Sequence, residues 1–367
     1  MASNLFKPLK IAAGELKHRV VMAPLTRFRG DENGVLLPIA IEYYTQRSCV
    51  PGTLILSEAT PVSERFGGVP HAPGIWTDAQ IQRWKEVTDA VHANGCFMFC
   101  QLWAPGRAAD PATLAKQGFP LVSSSAEPMA DGAPVPKEMT EEEIQICISD
   151  FVKAAKNAIA AGFDGVEIHG ANGYLVDQFT QDNCNKRSDR WGGSVENRAR
   201  FAIETAKAVA EAVGAERLGM RLSPWSVFQG MKMKDPLPQF SYLIKELKKL
   251  KLGHLHVVES RVTNSEDIEK VEGIEFALDI WDNQSPVFVA GGFKPDSAKK
   301  AVDEEYKDKN IAVVFGRYFI STPDLVFRIQ NGISPNQYDR STFYLPMAEQ
   351  GYLDYPFSEE FKSQKSA

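Results

Sequence analysis

The chain has 367 residues, 44% of them hydrophobic, and a formal net charge of −6. That hydrophobic share supports a large buried core, and the length suits one large domain or two to three ordinary ones. The acidic balance, with no Lys/Arg run of motif length, excludes a nucleic-acid surface; the stretch Lys245–Lys251 reads as the solvated face of a helix. The cysteines Cys49, Cys96, Cys100, Cys147 and Cys184 form no CxxC pair, so neither a disulfide framework nor a zinc site is expected. The first residues lack an apolar signal-type run, and no apolar stretch reaches membrane-spanning length. The expectation is a cytoplasmic protein without a membrane or nucleic-acid partner, as a monomer or homodimer.

In chain order, short apolar runs occur at Arg19–Ala23, Thr53–Ser57, Phe97–Leu102, Gly165–His169, Leu218–Leu222, Leu255–Glu259, Val287–Ala290 and Ile311–Phe315. They show little alternation, as expected of strands buried on both faces of a parallel sheet. Helical patterns fall between them. In Glu141–Ala161, apolar residues recur at helical spacing from Ile144 to Ile159. Thr140 opens a Thr-Glu-Glu-Glu capping box, and Gly162 follows as the stop. Ala199–Val213, Phe240–Leu250 and Asp324–Gln330 read the same way. Eight such units predict an α/β protein, a (β/α)8 TIM barrel spanning residues 1–367 as one domain. No G-x-G-x-x-G follows a strand and no Walker A loop occurs, so a nucleotide would not bind in the dinucleotide-fold manner. Two segments break the rhythm. Pro105–Glu138 predicts a long excursion after strand 3, either a functional lid or disordered. The tail after Gly332 carries Tyr338, Phe343, Tyr344, Tyr352 and Tyr355, which predicts packing back onto the barrel.

In such a barrel, residues just past each strand line the active site. They are Pro24, Leu25 and Thr26; Glu58 and Ala59; Gln101 and Trp103; His169 and Asn172; Arg221; Gly291 and Gly292; and Gly316 and Arg317. The glycines after strands 7 and 8, with Arg317, suit a phosphate; ordinary turns and a surface arginine are the plainer alternative. Arg221 stands among apolar residues and needs an anion, either Glu167 or a ligand that becomes anionic during turnover. Gln101 and Thr26 would then serve such a ligand's donors and acceptors. His169, Asn172 and Tyr174 form the densest polar cluster. One helical turn would bring His169 and Asn172 to one side, where two uncharged donors can hold a carbonyl oxygen. Tyr174 offers a phenolic proton.

The stretches HGANGYLVDQF (169–179) and RSDRWGGSVENRARF (187–201) resemble the signature of the Old Yellow Enzymes, FMN-dependent ene-reductases. The likeness continues through VVMAPLTRFR (20–29), QLWAPGRAADP (101–111), GMRLSPW (219–225), AGGF (290–293), FGRYFISTPDL (315–325) and YDRSTFY (338–344), and is strongest to the fungal branch. This resemblance implies FMN as cofactor and NADPH as reductant. It implies that Pro24, Leu25, Thr26, Ala59, Gln101 and Arg221 contact the flavin ring, and that Gly291, Gly292, Gly316 and Arg317 hold its phosphate. It assigns His169 and Asn172 to the carbonyl of a small enone or enal, Tyr174 to proton donation, and Trp103 and Tyr344 to the substrate pocket. No metal is implied. Ala59 stands where many members carry glycine. The loop Ser260–Gly273 is shorter than in the yeast members and bears on substrate specificity. The rival readings are a metal- or Schiff-base-dependent barrel enzyme, for which no ligand cluster or strand-end lysine is evident, and a non-catalytic flavin binder.

Overall fold

In the computed structural model, which describes residues 3–260, 262–263, 266–267 and 272–366, all eight apolar runs form parallel strands. They are β1 (Val20–Met22), β2 (Leu54–Leu56), β3 (Phe97–Trp103), β4 (Gly165–Gly170), β5 (Leu218–Leu222), β6 (His254–Val258), β7 (Val287–Ala290) and β8 (Ile311–Phe315). Each pairs with the next, and β8 pairs with β1 through Val313↔Val20, which closes the barrel.

Alternation sorts each strand's side chains into two buried sets. Val20, Met22, Val313 and Phe315 pack outward against helices, while Val21, Ala23, Ala312 and Val314 point inward. An N-terminal hairpin, Leu9–Ile11 with Gly14–Leu16, puts Leu9, Ile11 and Leu16 into the inner set, so the hairpin plugs the end of the barrel opposite the strand C-termini. The sequence reading missed this hairpin because its strands are only three residues long.

The outer ring contains α1 (Ile39–Arg47), α2 (Asp78–Ala93), α3 (Glu141–Ala160), α4 (Val195–Val213), α5 (Pro236–Lys249), α6 (Glu275–Trp281), α7 (Pro295–Lys300) and α8 (Leu325–Asn331). The expected capping box of α3 is formed. Glu143 N–H donates to Thr140 Oγ1 at 3.2 Å, and Thr140 N–H donates to the Glu143 carboxylate at 2.8 Å. Gly162, at φ +87°, turns the chain out of the helix toward β4. α4 and α5 begin about four residues earlier than periodicity suggested, because Ser194 caps α4 and Pro236 opens α5.

The excursion 105–138 is ordered, with a short helix Pro111–Lys116 and a two-residue strand pair, Val122–Ser123 with Lys137–Glu138. No residue of it lines the main cavity, so neither lid nor disorder describes it. It braces instead. Ser123 and Ser124 hydroxyls donate to Gln178 at 2.9 and 2.8 Å, and Arg107 donates to the Gln229 carbonyl at 3.2 Å. The tail packs back as expected. Tyr352 stacks on Tyr43 at 4.0 Å with rings nearly parallel, and the buried Arg27 and Arg29 donate to the carbonyls of Phe343, Ala348 and Gly351. Those bonds lock Phe343 and Tyr344 beside the loop that carries Thr26. Half of the residues of the loop Ser260–Gly273 lie outside the described residues. Among the described residues, no helix is long and apolar enough to cross a membrane.

Candidate active site

The C-terminal ends of the strands open into a cavity of about 400 Å³. Its wall contains Pro24, Leu25 and Thr26 after β1, Ala59 after β2, and Gln101 on β3. His169, Asn172 and Tyr174 follow from β4, Arg221 from β5, Gly291 and Gly292 after β7, Gly316 and Arg317 after β8, and Tyr344 from the tail. One expected residue is absent. Trp103 does not border the cavity; its ring meets that of Tyr174, which does, edge-on at 5.0 Å. Gln101 and Trp103 share the inward face of β3, but of the two only Gln101 borders the cavity.

His169 and Asn172 reach the cavity by a route other than the expected helical turn. His169 is still in β4, and Asn172 sits in the left-handed region at φ +56°. The Asn172 N–H donates to Ser223 Oγ at 2.7 Å, and Gly173 N–H donates to the Asp177 carboxylate at 2.9 Å, which together hold the turn. Tyr174 then caps the short helix Leu175–Thr180 and stands edge-on to His169 at 4.8 Å.

The protonation states follow from burial. Ala171 N–H donates to His169 Nδ1 at 3.3 Å, which leaves the other ring nitrogen as the hydrogen-bearing one. Burial, then the neighbouring Arg221 charge, holds the His169 pKa well below its usual value, so the ring is a neutral donor. Burial raises the Tyr174 hydroxyl above its ordinary range, so it keeps its proton at neutral pH. Asp177 is pushed up to about 7, again by burial.

Arg221 pairs in register with His169 on one side and His256 on the other. No ion pair joins it to Glu167 among the described residues; that carboxylate is taken by His254 and His256. Arg221 Nε and Gln101 Oε1 are both buried without a hydrogen-bond partner in the protein. Buried donors and acceptors are almost always satisfied, so the pair points to a polar ligand at this wall.

At the other end of the cavity, Gly291 and Gly292 adopt φ +150° and +67°. A Cβ on Gly316 would meet only Leu25, at 3.7 Å, and the Ala23 Cβ, at 4.0 Å, so its backbone is open to the cavity. The Arg317 guanidinium donates to the Tyr338 hydroxyl at 3.2 Å, and Arg340 packs over the same ring. Sequence reasoning missed Arg340, Glu259 and the exposed Phe228, all of which line the cavity. The signal for Arg340 was its place in the YDRSTFY stretch, 338–344.

Residues 4–336 match the model of the NADH:flavin oxidoreductase / NADH oxidase family. The chain belongs to that family. It is 55% identical to "Chanoclavine-I aldehyde reductase fgaOx3" of Penicillium roqueforti, and 54% identical to "NADP-dependent oxidoreductase lnbE" of Aspergillus flavus. Each alignment covers 98% of this chain and 98% of the relative. Among solved structures, the Old Yellow Enzyme of a Pichia species superposes with a TM-score of 0.89 at 37% identity, covering 97% of this chain and 94% of that one. The protein is therefore an FMN-dependent oxidoreductase of the Old Yellow Enzyme type. Its cavity fits the cofactor. The free Gln101 acceptor and Arg221 donor match the N–H and carbonyl groups of an isoalloxazine edge. The open glycine backbones beside Arg317 and Arg340 suit a single terminal phosphate.

Proposed function

We propose that this Old Yellow Enzyme homologue uses NADPH to reduce the C=C bond of an α,β-unsaturated aldehyde or ketone. The observation that carries the reading is the convergence of three uncharged donors, His169, Asn172 and Tyr174, on the cavity that also holds the unsatisfied Gln101 and Arg221. Bound FMN, reduced by NADPH, supplies the hydride that the β-carbon receives. His169 and the Asn172 side chain hold the substrate carbonyl oxygen and stabilise the negative charge that develops on it. A neutral histidine suits this role because it donates a hydrogen bond without fixing a full charge in the empty pocket. Tyr174, protonated at neutral pH, delivers its proton to the α-carbon. Thr26, Gln101 and Arg221 orient the flavin ring, with Pro24, Leu25 and Ala59 packing against it. Gly291, Gly292, Gly316 and Arg317 take the phosphate, and Tyr344 borders the substrate.

The name of the first relative favours an aldehyde substrate and that of the second NADP-linked reduction. A flavin-dependent isomerisation of such an enal is the second outcome that the same site permits. We take residues 1–367 as a single barrel domain, working as a monomer or homodimer.

The test is anaerobic reduction of the holoenzyme by NADPH or NADH, followed by reoxidation with enones, enals and saturated aldehydes. Saturated carbonyl products from the enones and enals, with no reoxidation by saturated aldehydes, are expected. Reduction of the aldehyde group itself to an alcohol would overturn the assignment.

A further inference from the structure

Behind the cavity wall lies a buried charge that no part of the reading above uses. Glu167 is on β4, two residues before His169, and is fully buried. One carboxylate oxygen accepts the Gln101 side-chain amide at 2.8 Å. The other accepts both His254 Nε2–H and His256 Nδ1–H, each at 2.9 Å. The cluster holds no metal-ligating arrangement among the described residues.

The local sequence makes room for it. Gly219 of β5 lies in register between Glu167 and His254. A Cβ there would fall 2.0 Å from the His254 ring, so the absent side chain is the gap through which His254 crosses β5 to reach Glu167. Burial alone would raise the Glu167 pKa. Its attraction to His256 and the hydrogen bonds from both histidines outweigh that and hold it well below the carboxylate range, while burial lowers His256 itself to about 4, so that ring is uncharged near neutral pH.

An anionic carboxylate only accepts hydrogen bonds. The Gln101 amide must therefore turn its NH2 toward Glu167, which leaves its carbonyl oxygen as the buried, unpartnered acceptor at the cavity. Had Glu167 been neutral or apolar, the amide could turn either way. Arg221, in register beside His256, sits in the field of the same anion without contacting it.

We propose that Glu167, held by His254 and His256 across Gly219, is the positioning residue of the flavin site: it fixes the Gln101 amide and places a negative charge behind Gln101 and Arg221 that lowers the potential of the bound cofactor. The proposal rests on the placement of FMN against Gln101 and Arg221. Reduction adds electrons to the cofactor, so a fixed anion nearby disfavours the reduced form relative to the oxidised one. Free acceptance by Gln101 acts in the same direction, because the oxidised ring is the stronger N–H donor.

The experiment compares the potential of bound FMN in wild type and Glu167→Gln holoenzyme, equilibrated against reference dyes. The substitution is nearly isosteric; it removes the charge and turns one acceptor oxygen into an NH2 group, which frees the Gln101 amide to turn. The variant should bind reduced over oxidised FMN about tenfold more favourably than wild type, a rise of about 30 mV for a two-electron couple. Glu167→Asp keeps the charge and should keep the potential within a third of that shift. Its oxidised-FMN affinity should still fall, because the carboxylate withdraws from Gln101. A role in packing alone would lower the melting temperature and leave the potential unchanged. Should Glu167→Gln fail to fold, the double variant Glu167→Gln with His254→Phe, which removes the charge together with a donor left facing the new NH2 group, should raise the potential in the same direction. A folded, FMN-loaded form of either variant at the wild-type potential overturns the proposal, as does failure of both to fold. Arg221→Lys separates the two ideas. A shift there with none in Glu167→Gln sinks only the role of Glu167, and no shift in either sinks the placement of the ring.

Discussion

Tyr174→Phe isolates one hydroxyl. The ring keeps its edge contacts with Trp103 at 5.0 Å and His169 at 4.8 Å, so the packing of the turn should survive. Losing one hydroxyl of this kind costs about 1 kcal/mol of stability, small for a barrel of this size. Delivery of hydride from NADPH needs no proton donor on the substrate side, so flavin reduction should be nearly unchanged. Protonation of the α-carbon does need one, and a positioned acid contributes about 10²–10⁴-fold. At about 1.4 kcal/mol per tenfold, that adds roughly 3–5 kcal/mol to the barrier of the oxidative half-reaction. The pH dependence follows from the same burial. Because the Tyr174 pKa lies above its ordinary value, the proton-bearing form dominates through neutral pH. The wild-type oxidative rate should stay flat there and fall only as pH rises past the ordinary tyrosine range. Stopped-flow measurement of both half-reactions in wild type and variant decides the matter. Equal slowing of both halves would assign Tyr174 to flavin geometry, and no slowing of either would assign the proton to water or another group. An accumulation of isomerised enal in the variant would show that the site returns hydride when protonation fails.

Alanine at both His169 and Asn172 should weaken phenolate-type ligands, which mimic an enolate, by roughly 3–6 kcal/mol at most; unchanged affinity in a flavin absorbance titration would place the pair away from the ligand. Arg317→Ala should weaken FMN binding to the apoprotein by about 1.5–3 kcal/mol, the worth of a charged hydrogen bond. Riboflavin, which lacks the phosphate, should bind both forms alike, and an equal loss for both ligands would show that Arg317 acts on the ring end. Asp177 has its pKa raised by burial to about 7. A raised acid stabilises the fold fully below its unfolded pKa, and that stability is lost as pH rises through 7. Asp177→Asn should therefore narrow the drop in melting temperature between pH 5 and pH 8 by about 2 °C or more; an unchanged drop would mean that the carboxyl is already ionised at pH 5.

The sequence by itself determined the eight strands, since buried parallel strands require continuous apolar runs and each such run proved to be one. It also determined which residues stand at the strand ends, because the strand direction and the βα order place them there. Pro24, Gln101, Arg221 and Gly316, far apart in the chain, could be named as neighbours on that ground alone. Local rules reached as far as the Thr140 capping box and the Gly162 stop. They failed where a side chain's surroundings come from another segment. Trp103 was expected on the cavity wall from its strand position, but it packs edge-on against Tyr174, 71 residues on, which borders the cavity where Trp103 does not. The 105–138 excursion read as a lid or as disordered because composition records polarity, not the Ser123 and Arg107 bonds that tie it to Gln178 and Gln229. Glu167 was one of two anions open to Arg221, beside a ligand, yet His254 and His256 claim that carboxylate. That choice depends on the gap at Gly219, and a gap between strands exists only once the barrel has closed.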